Sequence, residues 1–363
     1  MSHPATKSHP APSAGVRNGF VFPAEWLPHA ATWCSWPRNA DTWSKNLADA
    51  QNEFVGLARA IAADEPCLVM AGPGKDFESA TKRLGGIPGI EIVPIQTNDA
   101  WARDYAPTFV VDYQAKKLNA VDWHYNAWGG KYPPFDDDQK VAGKVAQHLG
   151  CGHQPIDLCL EGGALEVDEW GLLLCTRSCA MDEHRNPGLS PETIEQRIEC
   201  PLNIRETVWL SGDAIIGDDT DGHIDQLARF TPGGAILYAW SEDKADPQLV
   251  GLSQNLKDLR EGLQKLGRRD ELVPLPIPSG PVMMFGNRIP ACYCNFYLTN
   301  HSVLVPAFGD RNDERARAIL AEHFPGRRAI SLPSVHLTVG LGSFHCLTQQ
   351  QPIVEQLSPT AQQ

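Results

Sequence analysis

The sequence predicts an α/β fold assembled from repeated units, each a strand pair followed by a helix. Three observations carry this. Apolar residues at spacings of three and four mark helical stretches, and paired strand signals joined by turn residues lie between them. Chemically active side chains also recur near the start of each pair, at intervals of about sixty residues. Such spacing is compatible with a ring whose strand starts converge on a central axis, and equally with a mixed α/β enzyme carrying loops at its strand ends.

Helical periodicity covers Asn46 to Ala63, Lys75 to Leu84, Asp138 to Leu149, Pro191 to Glu199, Gln248 to Leu266 and Asp313 to Phe324. Strand pairs are expected at Thr108 to Tyr113 with Leu118 to Trp123, and at Ala164 to Val167 with Leu172 to Thr176. Two more are expected at Leu227 to Phe230 with Ala235 to Ala239, and at Asn295 to Leu298 with Val303 to Pro306. Near the pair starts stand Asp104, Glu161, His223 and Asn295, and Cys346 begins what would be a further unit.

The 363 residues can bury a large core, and 42% hydrophobic with 21% charged content is ordinary for a soluble enzyme. No run approaches a membrane span, and Met1 to Val16 lacks the apolar core of a signal peptide. These features predict a cytoplasmic protein with a disordered amino-terminal tail and no membrane association. The ten cysteines are irregularly spread, which predicts reduced thiols; Cys175 with Cys179 and Cys292 with Cys294 lack a second pair at zinc-site spacing. A net charge of −13 disfavours nucleic acid as a partner and suits a cationic substrate.

The densest chemical signal is Asp218-Asp219-Thr220-Asp221-Gly222-His223-Ile224-Asp225, one imidazole among four carboxylates ahead of a strand-like run. On a strand, His223 and Asp225 would share a face, pairing a proton shuttle with an anion. Trp101-Ala102-Arg103-Asp104 offers a carboxylate for a guanidinium and an indole face for a planar cation, or simply a structural Arg103–Asp104 pair. Glu161 precedes Gly162 and Gly163, which permit close backbone approach; it could bind substrate or accept from a turn. Cys346 follows the glycines of Gly340-Leu341-Gly342. Thiolate attack at an amidine-like carbon needs an acid for the leaving amine and carboxylates for the cation, work that His223, Asp225, Asp104 and Glu161 could share. His345 is a rival acid, but adjacent strand residues face opposite ways, so His223 is preferred.

Taken together these residues resemble the agmatine deiminase family, close to the bacterial peptidylarginine deiminases among the guanidino-modifying, pentein-fold enzymes. The likeness runs through Phe22-Pro23-Ala24-Glu25-Trp26-Leu27-Pro28-His29, Thr32-Trp33-Cys34-Ser35-Trp36-Pro37, Trp101 to Pro107, Glu161 to Gly163, Asp218 to Asp225, Asn295-Phe296-Tyr297 and His345 to Pro352. The resemblance implies a five-bladed, pseudo-symmetric α/β propeller forming one catalytic domain over residues 19–355, between tails at 1–18 and 356–363. It implies Cys346 as the nucleophile of an amidino-cysteine intermediate and His223 as general acid and then base. Asp104 and Asp225 would grip the guanidinium, Glu161 would assist binding and proton traffic, Trp101 would line the pocket, and Asp219 would face the distal amine. No metal or organic cofactor is implied, and the partner would be a small cationic guanidino compound; a homo-oligomer is compatible with the sequence.

Three departures touch the expected pocket. Tyr105-Ala106-Pro107 stands where Thr-Gly-Pro is usual, Thr176-Arg177-Ser178-Cys179 where Thr-Glu-Glu-Cys is typical, and Gly340-Leu341-Gly342-Ser343-Phe344 where Gly-Gly-Gly-Asn-Ile is usual. The implied activity is hydrolysis of agmatine to N-carbamoylputrescine and ammonia, toward putrescine and polyamines. Other readings are a peptidyl- or free-arginine deiminase, a silent guanidine-binding protein, and a metal hydrolase built on Asp218, Asp219, Asp221 and His223.

Overall fold

The computed structural model describes residues 19–355; the tails expected at 1–18 and 356–363 lie outside the described residues. Its main strands form five small sheets of one design. The first carries parallel strands β1 (His29–Ser35), β2 (Cys67–Met70) and β3 (Ile90–Val93). In the second, β4 (Thr108–Asp112) runs antiparallel to β5 (Lys117–His124), which pairs in parallel with β6 (Gly152–Cys159). The third repeats this with β7 (Glu166–Val167), β8 (Leu172–Thr176) and β9 (Glu206–Leu210), and the fourth with β10 (Ala228–Phe230), β11 (Ala235–Trp240) and β12 (Glu271–Pro276). A two-stranded ribbon, β13 (Met283–Met284) with β14 (Asn287–Arg288), precedes the fifth sheet of β15 (Tyr297–Leu298), β16 (Ser302–Ala307) and β17 (Arg328–Pro333). Finally β18 (Thr348–Pro352) lies antiparallel to β1, with Cys34 opposite Thr348 and Thr32 opposite Gln350. The first sheet thus receives its antiparallel strand from the other end of the fold.

Each parallel pair needs a crossover, and the expected helices supply it. The helix Leu47–Ala62 joins β1 to β2 and buries Ala50, Phe54, Leu57, Ala58 and Ile61, one face at helical spacing. Phe54 meets Trp36 edge to face at 5.6 Å. Pro191–Leu202 begins with Ser190, whose hydroxyl accepts from Thr193 N at 3.2 Å, has Pro191 at its first position, and ends on Asn203 at φ 56°. Leu249–Lys265 buries Leu252, Leu256, Leu259 and Leu263. Among the described residues no helix is long and apolar enough to cross a membrane.

The third, parallel strand of each sheet carried no separate expectation, and one local expectation changes. The segment after His223 is not strand: Ile224–Gln226 is a 3₁₀ turn, and β10 starts only at Ala228. The cause is a side-chain cap. Asp218 accepts from Thr220 N (3.1 Å), Gly222 N (2.9 Å) and Gln226 Nε2 (2.9 Å), while Thr220 Oγ1 accepts from His223 N at 3.0 Å. Comparable tight turns, Ala102–Tyr105, Gly162–Ala164 and Tyr293–Asn295, precede β4, β7 and β15.

The sheets are tied together by Arg229 on β10, which is 1% exposed. Its Nε donates to Glu166 Oε2 on β7 (2.9 Å), its Nη2 to Glu25 Oε2 (2.6 Å), and its Nη1 to the carbonyls of Cys294 and Phe296 (both 3.0 Å). The guanidinium also lies 4.4 Å from the Phe296 ring centroid. Arg229→Leu would leave Glu25 and Glu166 buried without their main counter-charge, and it is expected to cost about 3–5 kcal/mol. Chemical denaturation reads this directly; an unchanged midpoint would remove Arg229 from the centre of the fold.

Candidate active site

The turns that open the sheets bring their polar residues to one place. Around Gly163 the crowding is such that a methyl group on its Cα would lie 2.6 Å from His223 Nδ1, 2.8 Å from Asp104 Oδ1 and 3.2 Å from Asp225 Oδ2. Only glycine lets these three groups close in. His223 Nε2 is 3.4 Å from Glu161 Oε2, and Nδ1 is 3.7 Å from Asp104 Oδ1. Cys346 Sγ points at Asp225 Oδ2 across 3.6 Å and accepts from Asn295 Nδ2 at 3.2 Å. Asp104, Glu161, His223, Asp225 and Cys346 therefore meet, and none of the five is more than 3% exposed.

His223 and Asp225 converge without sharing a strand face, because the 3₁₀ turn brings them round instead. The same holds for His345 and Cys346. Both precede β18, and both reach Asp225: His345 Nδ1 lies 2.8 Å from the Oδ2 that Cys346 faces. The alternation that would have turned His345 away does not apply outside a strand.

Trp101 packs against the loop that leads to Cys346. A methyl on Gly342 would sit 2.4 Å from the Trp101 ring and 2.9 Å from Cys346 Cβ, and Trp43 lies tilted against Trp101 with ring centroids 5.5 Å apart. Between the glycines Leu341 adopts φ 77°, a left-handed conformation that costs a leucine about 1–2 kcal/mol. Phe344 is fully buried in the cluster that also holds Trp101. Asp104 is fixed from two sides, accepting from Gly163 N and from Trp128 Nε1 (both 3.1 Å). Trp128 reaches it from a strained stretch in which Ala127 and Trp128 have φ 54° and 56°.

Asp219 is not with this group. It lies in the surface layer, where Lys131 Nζ donates to its Oδ1 at 3.2 Å and the Tyr132 hydroxyl donates to its Oδ2. Lys131 also holds Asp221 at 2.8 Å. Arg177, standing where an acid is typical, donates to the Trp209 carbonyl at 2.9 Å.

The electrostatics follow from burial among acids. Burial, reinforced by Asp225 and Glu161 and opposed by His223, raises the Asp104 carboxyl to about 6. Burial also acts on Glu161, but Arg185 and His223 outweigh it and hold this carboxyl at about 2. Burial works against a charged His223, yet Asp104 and Glu161 reverse that and lift it well above the usual histidine range. Cys346 is pushed well up by burial, then by Asp225 and Asp104.

Arg185 gave no signal in the sequence. It sits in a polar stretch before Pro187, yet its side chain is buried, with Nε donating to both Glu161 oxygens at 2.9 and 3.0 Å and Nη1 to Asp221 at 2.6 Å. This matters for metals as well. Glu161, Cys179 and His223 have potential ligand atoms within 4.8 Å of one another. Both Glu161 oxygens, however, already serve a guanidinium that would repel a cation placed there. Asp218, Asp219 and Asp221 are taken by the turn cap and by Lys131, and among the described residues no set of closely spaced potential ligand atoms joins them to His223.

The family model for Porphyromonas-type peptidyl-arginine deiminase matches residues 21–352. An agmatine deiminase of Pseudomonas aeruginosa (strain LESB58) is 36% identical over 358 residues, covering 92% of this chain and 96% of that protein. Among solved structures, the agmatine deiminase of Enterococcus faecalis superposes with a TM-score of 0.87 at 32% identity, covering 93% of this chain and 97% of the other. A C. jejuni agmatine deiminase with substrate bound gives 0.82 at 27% identity, with 92% and 96% covered. With a match spanning nearly all of the described residues, the chain belongs to the Porphyromonas-type peptidyl-arginine deiminase family.

Proposed function

We propose that this protein is an agmatine deiminase, hydrolysing agmatine to N-carbamoylputrescine and ammonia by cysteine covalent catalysis. The observation that carries the chemistry is the meeting of the Cys346 thiol, the His223 imidazole and three carboxylates in a space shielded from solvent. The substrate assignment rests on the similar agmatine deiminases. The five sheets, each opened by a tight turn and the last strand paired with the first, support a five-bladed propeller with this cluster on its axis.

A guanidinium seated between Asp104 and Asp225 would offset the charges that keep the Cys346 thiol protonated, so binding the cation favours the thiolate. Sulfur, its proton released to solvent as the cation binds, then attacks the guanidinium carbon, and a C–S bond forms as the C=N electron pair moves to nitrogen. His223, a protonated ring by its surroundings, gives its proton to the terminal nitrogen, which leaves as ammonia. Water adds to the amidino-cysteine carbon and passes a proton to His223. The C–S bond breaks as the added hydroxyl gives its remaining proton to the departing sulfur, which restores the thiol and releases the ureido product; Glu161, held ionised by Arg185, keeps His223 oriented through both steps. Trp101 walls the pocket, and Asp219 meets the distal ammonium of agmatine.

The decisive assay supplies purified protein with agmatine, free arginine and an arginine-containing peptide and follows ammonia and ureido product. Agmatine should be preferred; preference for the peptide would transfer the reading to peptidylarginine with the chemistry unchanged. Cys346→Ser should abolish turnover while leaving the thermal melt close to wild type, because a hydroxyl is a far poorer nucleophile at neutral pH. Substantial residual activity would exclude the covalent route.

Because the Asp104 carboxyl stands at about 6, protonating it as the pH falls removes one of the two anions that grip the cation. kcat/KM should therefore decline below about pH 6, and Asp104→Asn should flatten that limb while lowering activity throughout. Asp219→Asn should weaken agmatine about fivefold relative to an alkylguanidine lacking the amine, about 1 kcal/mol for a partly exposed charge already shared with Lys131. Equal losses on the two substrates would make Asp219 structural.

A further inference from the structure

His345, the immediate neighbour of Cys346, has no part in the reaction above, yet it is among the most constrained side chains in the molecule. Its ring is 1% exposed. Nδ1 lies 2.8 Å from Asp225 Oδ2, and Nε2 lies 2.8 Å from Glu25 Oε2. An ionised carboxylate can only accept, so two such contacts require a hydrogen on each ring nitrogen. Both acids are kept ionised by their surroundings. Burial opposes the charge of Glu25, but Arg229, then His345, pull its carboxyl far down; Asp225 is lowered against burial by His345, His223 and Arg229.

The position of the ring is set by the fold rather than by Asp225. His345 N donates to Asn295 Oδ1 at 3.1 Å, and Glu25 accepts from Leu298 N at 3.1 Å as well as from Arg229. On the other side, Asp225 Oδ1 is buried and has no hydrogen-bond partner. Oδ2 is thus held by His345 and turned toward Gly163 and Cys346, while Oδ1 is buried with no partner.

We propose that His345 is a positioning residue: a ring protonated on both nitrogens, clamped between Glu25 and Asp225, that holds Asp225 Oδ2 and leaves Oδ1 to accept from the guanidinium. This rests on the reading of Asp225 as a cation-gripping residue. The clamp acts in a crowded field. Arg103 donates through Nε to the His345 carbonyl at 3.4 Å and brings Nη2 to 4.0 Å from Glu25. Arg229 and Glu166 stand behind Glu25, and Asp104, His223, Cys294 and Cys346 face Asp225. Removing the ring from this set takes away the cation nearest Asp225 and leaves its carboxylate beside Asp104 and a thiol.

The test uses the full-length protein and His345→Gln. In ¹⁵N-histidine spectra of the wild type, the signals that His345→Gln abolishes should be those of a ring with a hydrogen on each nitrogen. A singly protonated ring there would overturn the proposal. In His345→Gln the Asp225 carboxyl should titrate about one to three units higher, as expected when a buried carboxylate loses an adjacent cation, so a second protonation joins that of Asp104 and steepens the acidic limb of kcat/KM. Inhibition by guanidinium chloride should weaken at least tenfold on the acid side of that limb and recover at higher pH. A uniform loss at every pH, with the slope of the limb unchanged, would overturn the proposal and leave His345 structural. Should His345→Gln fold poorly by thermal melt, His345→Asn and the wild-type spectra decide the same question. Failure of the wild type to hydrolyse agmatine while still binding guanidinium would count against the proposed function and leave the binding and spectral readouts of the clamp intact.

Discussion

A buried arginine bonded to two acids and two carbonyls is the constraint from which the rest of this structure follows. Arg229 joins β10, β7, the Glu25 segment and the turn before β15, so it reaches parts of the chain separated by up to about two hundred residues. Burying so many charges is expensive unless each finds a partner, and a hydrophobic substitute could be as stable. What the ionic network adds is geometry. It fixes Glu25, Glu25 fixes His345, and His345 reaches the Asp225 carboxylate beside Cys346. The framework and the chemical site form one hydrogen-bonded structure.

The candidate site concentrates negative charge in a volume shielded from water. Asp104, Glu161 and Asp225 approach one another around a single imidazole, and their mutual repulsion is relieved by Arg185 on one side and His345 on the other. Asp104 has no such cationic side chain of its own beyond His223, which is why its carboxyl is the one displaced upward. A planar cation entering this space would meet carboxylates on more than one side, which supports the proposed preference for a guanidinium over neutral amides.

Much of this was legible beforehand, and the failures have physical causes. The helices appeared at nearly the expected limits because amphipathic spacing is local: Lys75–Leu84 matches at both ends, and Leu47–Ala62 lies within one residue of its expectation. Asp104, Glu161, His223, Asp225 and Cys346 were recognisable from composition and from the family resemblance. Their geometry was not, because side-chain caps from Asp218 and Thr220 turned expected strand into 3₁₀ turn, altering which residues share a face. Arg185, Glu25 and His345 escaped functional assignment for a different reason. A buried ion pair between positions 25 and 345 leaves no periodic trace, and an arginine in a polar loop looks solvated until the fold encloses it.

The pairing of β18 with β1 sets an order on biosynthesis. The strand that follows Cys346 is the last of the fold to be made, and it is the one that supplies the antiparallel edge of the first sheet. A nascent chain therefore waits with β1 unpaired on that side, while Asp104, Glu161, His223 and Asp225 are already synthesised but lack their thiol. Cys346 stands two residues ahead of β18, so a chain stopped before it lacks both the antiparallel edge of the first sheet and the thiol that meets these side chains.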